Sequence, residues 1–575
     1  MTDKEIGQTF YQIAKILELG NPADRFRIIA YERAAQTIEN YAEEMKDVYR
    51  KGGIKALNDI PDVGGSIAEK IEELLKTGKL KYLDEIKKDV PVSEVEFLKI
   101  PGVGPKTAIK ITKELKAKNI DDLEKKLKSG KGDELFKAKT ATNILRGIQI
   151  MKRMTGRMLI TEALPLAEEI VTYLKKVKGV EKIDYVGSLR RMKETIGDID
   201  IIAASSNPRK LIEEFIKFPG ISQVLTKGET KSTVIHNQKT QIDLEILPAD
   251  EYGSLLQHFT GSKEHNVAMR TYAQTKNMSF SEHGFKFEGK LHKFTTEKKV
   301  YNFLGMDFIE PELRENTGEI EAALKHKLPK LVELTDIKSD LHVHSNWSDG
   351  AMTISEIVRA AEKLGYEYIV ISDHTVGLGI ANGLDEKRLE LRQKEIEKVQ
   401  KIHPKIKILS SVEVNIKADG DLDIKDWMLE KLDIVTASVH TSFFQDKETM
   451  TNRLIKAINH PHVDIIGHPS GRIIGQREPY EVDWSQVFRA CKETGTVLEI
   501  SAFPNRLDLK DSLCREAKSY GVKFAISTDS HQAGHLELMR FGVAVARRGW
   551  LEKEDIVNSR DVNSLILWSK RSGHW

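Results

Sequence analysis

Apolar positions in the first 90 residues recur every three to four places. Phe10, Ile13, Ala14, Leu17 and Leu19 mark one helix, and a second, starting near Asp24, carries Phe26, Ile29, Ala30, Ala34 and Ile38. The helical pattern is broken twice in the same way, at Ile60-Pro61-Asp62-Val63-Gly64-Gly65-Ser66 and at Ile100-Pro101-Gly102-Val103-Gly104-Pro105-Lys106, each break running into another helix. From Ile183 the pattern turns to strands. The apolar run Ile183 to Val186 precedes an isoleucine-rich segment with Asp198 and Asp200, and the alternation Ile242-Asp243-Leu244 follows later. From Asp340 the apolar runs YIVIS, ILSSVE, IVTASV, DIIG and FAIS alternate with helical stretches near 354–364, 384–401 and 508–520. The expected fold is therefore multidomain: α-helical at the N-terminus, α/β in the middle, and a distorted β/α barrel at the C-terminal end. At 575 residues the chain is too long for one core, and about four domains are expected.

Composition adds a compartment and a partner. Residues are 40% hydrophobic and 31% charged. The polar, helical N-terminus gives no signal peptide, and no apolar run approaches the ~20 residues that span a bilayer, so no membrane partner is expected. Cys491 and Cys514 are the only cysteines, which argues against a disulfide framework and fits a reducing cytoplasm. The net charge of +2 is unevenly spread: residues 104–157 carry 12 Lys and 3 Arg against 6 Asp or Glu, a local +9 that leaves −7 for the rest. A basic stretch in a near-neutral chain reads as a nucleic-acid footprint.

The chemistry starts at the two aspartates. Residues i and i+2 of a strand share a face, so Asp198 and Asp200 project together, and Asp243 joins them if its strand is a neighbour. Three carboxylates at one spot call for a cation, and Mg²⁺ suits oxygen donors and phosphates. Two such ions clamp the attacking and leaving oxygens of a phosphoryl transfer. Upstream, Gly187-Ser188 follows a strand and precedes Arg190 and Arg191, a small phosphate cradle. The two repeated turns are helix-hairpin-helix signatures. Their Gly64, Gly65, Gly102 and Gly104 open the backbone N–H groups to a DNA phosphate, with Lys106 beside them.

The arrangement GS…GDIDI…QIDLE resembles the palm of family X DNA polymerases, the group that includes DNA polymerase beta. The resemblance implies that Asp198, Asp200 and Asp243 hold two Mg²⁺ (or Mn²⁺) ions, with Asp243 assisting deprotonation of the primer 3′-hydroxyl. It implies that Gly187, Ser188 and Arg191 hold the nucleoside triphosphate. Phe259-Thr260-Gly261-Ser262 matches the sugar-facing turn that screens the 2′-hydroxyl. By the same comparison Asn266 meets the incoming base and Arg270 the template. Two positions depart from the family: His258 stands where a Tyr is usual, and Lys263 where an Asp is, adding a cation beside the triphosphate. At the N-terminus, Tyr31-Glu-Arg-Ala-Ala and Ala68-Glu69-Lys70-Ile71 resemble the family's lyase domain and place Lys70 at its Schiff-base lysine, although a supporting lysine is Ser66 here. The implied layout is a lyase-like domain at 1–90, fingers at 91–150, palm at 151–250 and thumb at 251–317. A charged linker follows at 318–337, then a second half at 338–575 with its own core.

That second half offers nine metal-binding side chains, each after a short apolar run: His342, His344, Asp349, His374, Glu413, His440, His468, Asp529 and His531. Imidazole suits zinc, iron or manganese, and carboxylates bridge metals. The series HxH…D…DH…E…H…HP…DxH resembles the PHP (polymerase and histidinol phosphatase) domain, and all nine positions of that family's set are filled. The resemblance implies two or three Zn²⁺, Mn²⁺ or Fe ions and phosphoester hydrolysis by water acidified toward a pKa of ~7. Arg472, in HPSGR after His468, is the candidate for holding the scissile phosphate. The whole reading is a DNA-directed DNA polymerase that fills short gaps in base excision repair. Its second half would act on 3′ ends as a 3′–5′ exonuclease, a 3′-phosphatase or an abasic-site endonuclease. Gapped or primed duplex DNA and dNTPs are the expected partners, and a cytoplasmic, nucleoid-associated monomer the expected state. The rivals are a nuclease or phosphatase whose polymerase-like half only binds DNA, and a nucleotidyltransferase acting on RNA or small molecules.

Overall fold

The computed structural model describes residues 1, 3–20, 24–41, 44–88, 90–132, 135–136, 138–237, 239–378 and 381–569. Asp133, Glu134 and Lys137 of the basic stretch lie outside the described residues. The first 154 residues are helical, as their periodicity predicts, and one apolar cluster runs from Ile6 to Ile148. The second helix buries Ile28, Tyr31, Ala34, Ala35 and Ile38, whereas Phe26 and Ile29 face solvent. Both hairpin turns feed helices: α1 (Gly65–Thr77) and α2 (Pro105–Lys113).

The central sheet is built from β1 (Val180–Tyr185), β2 (Ile199–Ser205), β3 (Ile221–Lys227), β4 (Lys231–His236) and β5 (Thr240–Leu247). Its order is β1-β2-β5-β4-β3, and only β2 and β5 pair in parallel. Alternation along these strands assigns the faces. Ile199, Ile201 and Ala203 with Ile242, Leu244 and Ile246 pack against α3 (Ile160–Leu174), while Ile202 and Ala204 pack with Val186, Tyr252 and Leu255. Each buried isoleucine contributes roughly 1.5–3 kcal/mol, enough to pin the strand register. The short α4 (Gly187–Arg190) follows β1, and α5 (Tyr252–Thr260) covers the second face. Beyond it come α6 (Lys263–Thr275) and a small antiparallel sheet over 279–292.

Two regions pack more closely against their neighbours than the sequence suggests. Residues 318–337, expected as a charged linker, are partly buried. Ile320, Ala323 and Leu331 enter the apolar cluster that starts at Met269, Val332 and Ile337 join the largest core, and Glu319 is buried against His265. The second half has apolar clusters of its own, Val343 to Leu536 and Leu341 to Leu565, as expected, and it also shares a larger one. The largest cluster runs unbroken from the central sheet (Met158 to Ile246) into residues 332–556. The helix α3 explains part of this, since it is apolar enough to serve both sides while its Glu168 pairs with Arg540.

In the second half β6 (Tyr368–Ile371) and β7 (Lys407–Ser410) form a parallel pair. A five-stranded parallel sheet follows in the order β8 (Glu413–Asn415), β9 (Thr436–Ser438), β10 (Ile465–Ile466), β11 (Val497–Ser501) and β12 (Phe524–Ser527). Single bridges from Val343 to Ile371 and to Ser530 join the edges of the two sheets, but the ladders of the described residues form no continuous closed barrel. Helices α7 (Asp511–Ser519) and α8 (Met539–Arg548) pack on the last strands.

Candidate active sites

Parallel pairing of β2 with β5 sets Asp200 directly opposite Asp243, and Asp198 lies one residue before β2. Oxygens of all three carboxylates fall within 4.8 Å of one another. Burial, then the charges of Asp198 and Asp243, pushes the Asp200 carboxyl up to about 7. Such crowding is unfavourable until a cation joins it, so the residues fit divalent metal. Asp243 accepts hydrogen bonds from Thr233 Oγ1 (2.5 Å) and Gln241 Nε2 (2.7 Å), which fix its orientation. Gly187 is needed for two reasons. Its φ is +64°, and a Cβ there would stand 2.6 Å from Asp200 Oδ2.

The predicted nucleotide contacts surround this cluster. Ser188 lies on α4 beside Gly187, and the Arg191 guanidinium donates to the carbonyl of Thr260 (2.5 Å) and to Glu315 Oε1 (3.1 Å). Gly261 and Ser262 are buried, and Ser262 caps α6 by accepting from the His265 N–H. Lys263 is exposed at the start of that helix, and Phe259 is half-buried. Asn266 and Arg270 both turn to His258. Asn266 donates to its carbonyl (2.7 Å), and Arg270 lies 3.2 Å from its ring Nδ1. Arg190 is tied to the protein. It forms a two-armed pair with Glu297, which also binds the fully buried Arg314.

In the hairpins, positive φ falls on Gly102 (83°) and on Asp62 (58°), not on Gly64 or Gly65. Gly64 and Gly104 have ordinary φ, and a Cβ on either would meet open space. Their bareness leaves room for something to approach the start of α1 or α2, where N–H groups are free to bind anions. Lys106 is exposed at the second start. Lys70 Nζ bonds the Ser66 carbonyl and Oγ (3.0 and 2.8 Å) and sits 4.8 Å from the Tyr82 ring centroid. Burial, opposed by Glu69 and aided by Arg27, lowers its pKa. A cleft of about 1540 Å³ separates the second hairpin from the second half, lined by Pro101 and Gly102 on one side and Phe443, Arg477 and Asn505 on the other.

The second site gathers all nine predicted side chains. Glu413 is its centre. Its oxygens lie 2.9 Å from His374 Nδ1, 2.9 Å from His468 Nε2, 3.2 Å from His440 Nε2 and 3.4 Å from His342 Nε2. Asp529 Oδ1 is 3.1 Å from His344 Nε2, and Asp349 Oδ1 is 3.4 Å from His531 Nε2. Despite these distances, His342 Nε2, both ring nitrogens of His344, His374 Nδ1, Asp349 Oδ1 and Glu413 Oε2 make no hydrogen bond among the described residues. So many crowded, buried donor atoms left unbonded fit a set of metal ions. Burial, then the neighbouring His531 and His374, brings His344 down to about 4, the neutral form that ligates. Two donors sit on left-handed backbone, His468 (φ 28°) and Asp529 (φ 53°), strain of the kind that collects at functional sites.

Sequence reasoning missed three residues here. Glu499, buried in β11, accepts from His342 Nδ1 (2.8 Å) and from the His468 N–H (2.5 Å). Asn415 Oδ1 accepts from His440 Nδ1 (2.6 Å). Arg506 Nε lies 3.8 Å from Asp529 Oδ2, and its NH1 is buried with no hydrogen bond among the described residues. Arg472, the expected phosphate holder, is engaged by protein groups. That guanidinium donates to the carbonyls of Arg506 (2.9 Å) and Leu507 (2.5 Å) and pairs with Glu194 (2.8 Å), so it braces a loop and a junction between the halves.

Comparisons with known proteins place the chain in a family. Family models match at residues 1–80 (helix-hairpin-helix domain), 255–315 (DNA polymerase beta thumb) and 340–502 (PHP domain). The DNA polymerase/3′-5′ exonuclease PolX of Bacillus subtilis (strain 168) is 36% identical over 583 residues, covering 100% of both chains. A probable phosphatase of Thermoanaerobacter sp. (strain X514) is 34% identical over 243 residues, 40% of this chain and 94% of that protein. DNA polymerase lambda of Rattus norvegicus is 25% identical over 324 residues, 51% of this chain and 53% of that protein. No helix among the described residues is long and apolar enough to cross a membrane. The chain belongs to the family X DNA polymerases that carry a C-terminal PHP domain.

Proposed function

We propose that this chain extends DNA 3′ ends at Asp198, Asp200 and Asp243 and hydrolyses phosphoesters at 3′ ends in its second half. The register that sets Asp200 against Asp243 carries the reading. Bound divalent cations would supply Lewis acidity toward phosphoryl oxygens and ease loss of the attacking oxygen's proton. The carboxylate-only first site suits Mg²⁺ or Mn²⁺, and the imidazole-rich second suits two or three Zn²⁺, Mn²⁺ or Fe ions. Asp243 takes up the 3′-hydroxyl proton. The Gly187-Ser188 backbone and Arg191 hold the triphosphate, the 259–262 turn excludes a 2′-hydroxyl, and Asn266 and Arg270 leave His258 to meet base and template. In the second half Arg506 takes the phosphate-holding role first given to Arg472. Residues 1–90, 91–150, 151–250 and 251–317 act as lyase-like, fingers, palm and thumb regions, with 318–337 packed against the thumb. Gly64, Gly65, Gly102, Gly104 and Lys106 grip the backbone of gapped or primed duplex DNA. The resulting activity is short-gap filling in base excision repair by a cytoplasmic, nucleoid-associated monomer. Lys70, with its lowered pKa, is placed to open an abasic sugar; borohydride trapping that survives Lys70→Ala removes that role.

The test is extension of a primer in gapped DNA. Wild type and His344→Ala should extend it and Asp243→Ala should not, whereas 3′-end hydrolysis should be lost in His344→Ala alone. Wild type that hydrolyses but never extends would mean that the first half only binds DNA. A preference for RNA primers would move the chain to another nucleotidyltransferase class.

A further inference from the structure

Arg548, on α8 of the second half, reaches across to the nucleotide side of the first. Its side chain is 6% exposed. Its Nε and NH2 pair with Asp511 Oδ2 at 2.8 and 2.7 Å. Its NH1 donates to the backbone carbonyl of Arg191 (2.8 Å) and to Glu315 Oε1 (3.1 Å). That same Glu315 oxygen accepts from Arg191 Nε at 3.1 Å, and Lys193 Nζ is 3.7 Å away. Arg191 is thus caught between the 259–262 turn and a carboxylate that it shares with a cation from the other half.

A guanidinium held by a carboxylate must release it before taking a triphosphate. A half-buried carboxylate left without a cation is strongly disfavoured, so the exchange needs a second cation already in place. Arg548 supplies one, in a fixed geometry that lysine cannot reproduce. Arg191, Lys193 and Arg548 set three positive charges against Glu315 and Asp511, leaving one in excess; without Arg548 the cluster is neutral and Glu315 holds Arg191 more tightly.

We propose that Arg548 is a positioning residue for DNA synthesis: it neutralises Glu315 and fixes the Arg191 backbone, so that Arg191 can trade Glu315 for the incoming triphosphate. The proposal rests on the reading of Arg191 as a triphosphate contact. It makes the second half a working part of the polymerase site, not only a second enzyme on the same chain.

The test uses the full chain, gapped DNA at saturation and varied dNTP. Arg548→Ala should raise KM for dNTP about tenfold, a change in apparent binding of one power of ten, with kcat little changed and 3′-end hydrolysis intact. Arg548→Lys should fall between. Glu315→Gln added to Arg548→Ala should bring KM back toward wild type, because the carboxylate that captures Arg191 is gone; a merely structural role predicts no such rescue. If Arg191→Ala leaves KM unchanged, the triphosphate reading fails and takes the proposal with it. If Arg191→Ala raises KM and Arg548→Ala does not, the proposal alone fails. If Arg548→Ala depresses kcat and 3′-end hydrolysis together and the double variant does not recover, Arg548 only holds the fold.

Discussion

Replacing Glu499 by alanine removes a carboxylate that organises the second site from behind. One oxygen accepts from His342 Nδ1 at 2.8 Å and the other from the His468 N–H at 2.5 Å. With Nδ1 protonated, the free lone pair of His342 is on Nε2, which faces Glu413 (3.4 Å) and Asp529 (3.9 Å). Glu499 therefore fixes both the tautomer and the direction of one ligand, and the backbone of another. Partners of this kind are worth about 10–100-fold in metal affinity, or ~1.4–2.7 kcal/mol. The orphaned, buried His468 N–H adds roughly 1–3 kcal/mol of lost stability. Glutamine keeps the shape but offers a single oxygen to two donors, so it should lie between. The assay is metal content after dialysis against a weak chelator, with 3′-end hydrolysis measured at limiting and saturating Mn²⁺ and primer extension as the control for folding. Glu499→Ala should lose metal and hydrolysis at limiting Mn²⁺, regain part of the hydrolysis at saturation, and extend primers normally. Metal retained as in wild type, with full hydrolysis, would refute the argument.

Two further outcomes follow from single geometries. Gly187→Ala puts a Cβ 2.6 Å from Asp200 Oδ2 on backbone of φ +64°; the conformation alone costs roughly 1–2 kcal/mol, so primer extension should fall at least about tenfold while 3′-end hydrolysis is unchanged. Glu297 is buried against Arg190 and Arg314: burial pushes its carboxyl up, but the two guanidiniums outweigh that and hold it down to about 2 from 4.5. A depressed carboxylate stabilises above its unfolded pKa and loses that as pH falls through 4.5 toward 2, a loss of about 3 kcal/mol. Protection factors over residues 297–315, taken relative to intrinsic exchange at each pH, should therefore fall in that window in wild type, and in Glu297→Gln be low already at neutral pH with no step there.

The ligands were legible because each obeys a local rule, and their supports were not because they obey distant ones. A two-residue spacing in an isoleucine-rich strand is enough to put Asp198 and Asp200 on one face, whereas Asp243 needed the further assumption that its strand is a neighbour. The second site's histidines stand where apolar runs stop, a position that can be read one run at a time. Glu499 stands inside a run, Val497-Leu498-Glu499-Ile500, where a lone acid looks like an interruption until His342, 157 residues away, is known to face it. Proximity in sequence favoured Arg472, next to His468, but its loop turns the guanidinium toward carbonyls 34 and 35 residues on and leaves Arg506 at the metal side. The charged segment 318–337 read as a linker because nothing local shows that Glu319 meets His265. The same contrast separates the two sites physically. Asp198 is exposed and Asp200 and Asp243 only half-buried, as suits ions that arrive and leave with a nucleotide, whereas His342, His344 and Glu413 are each at most 1% exposed. Carboxylates at the surface must be recognised by their spacing. A buried imidazole cluster must also be recognised by what stands behind it, and that is written in the fold.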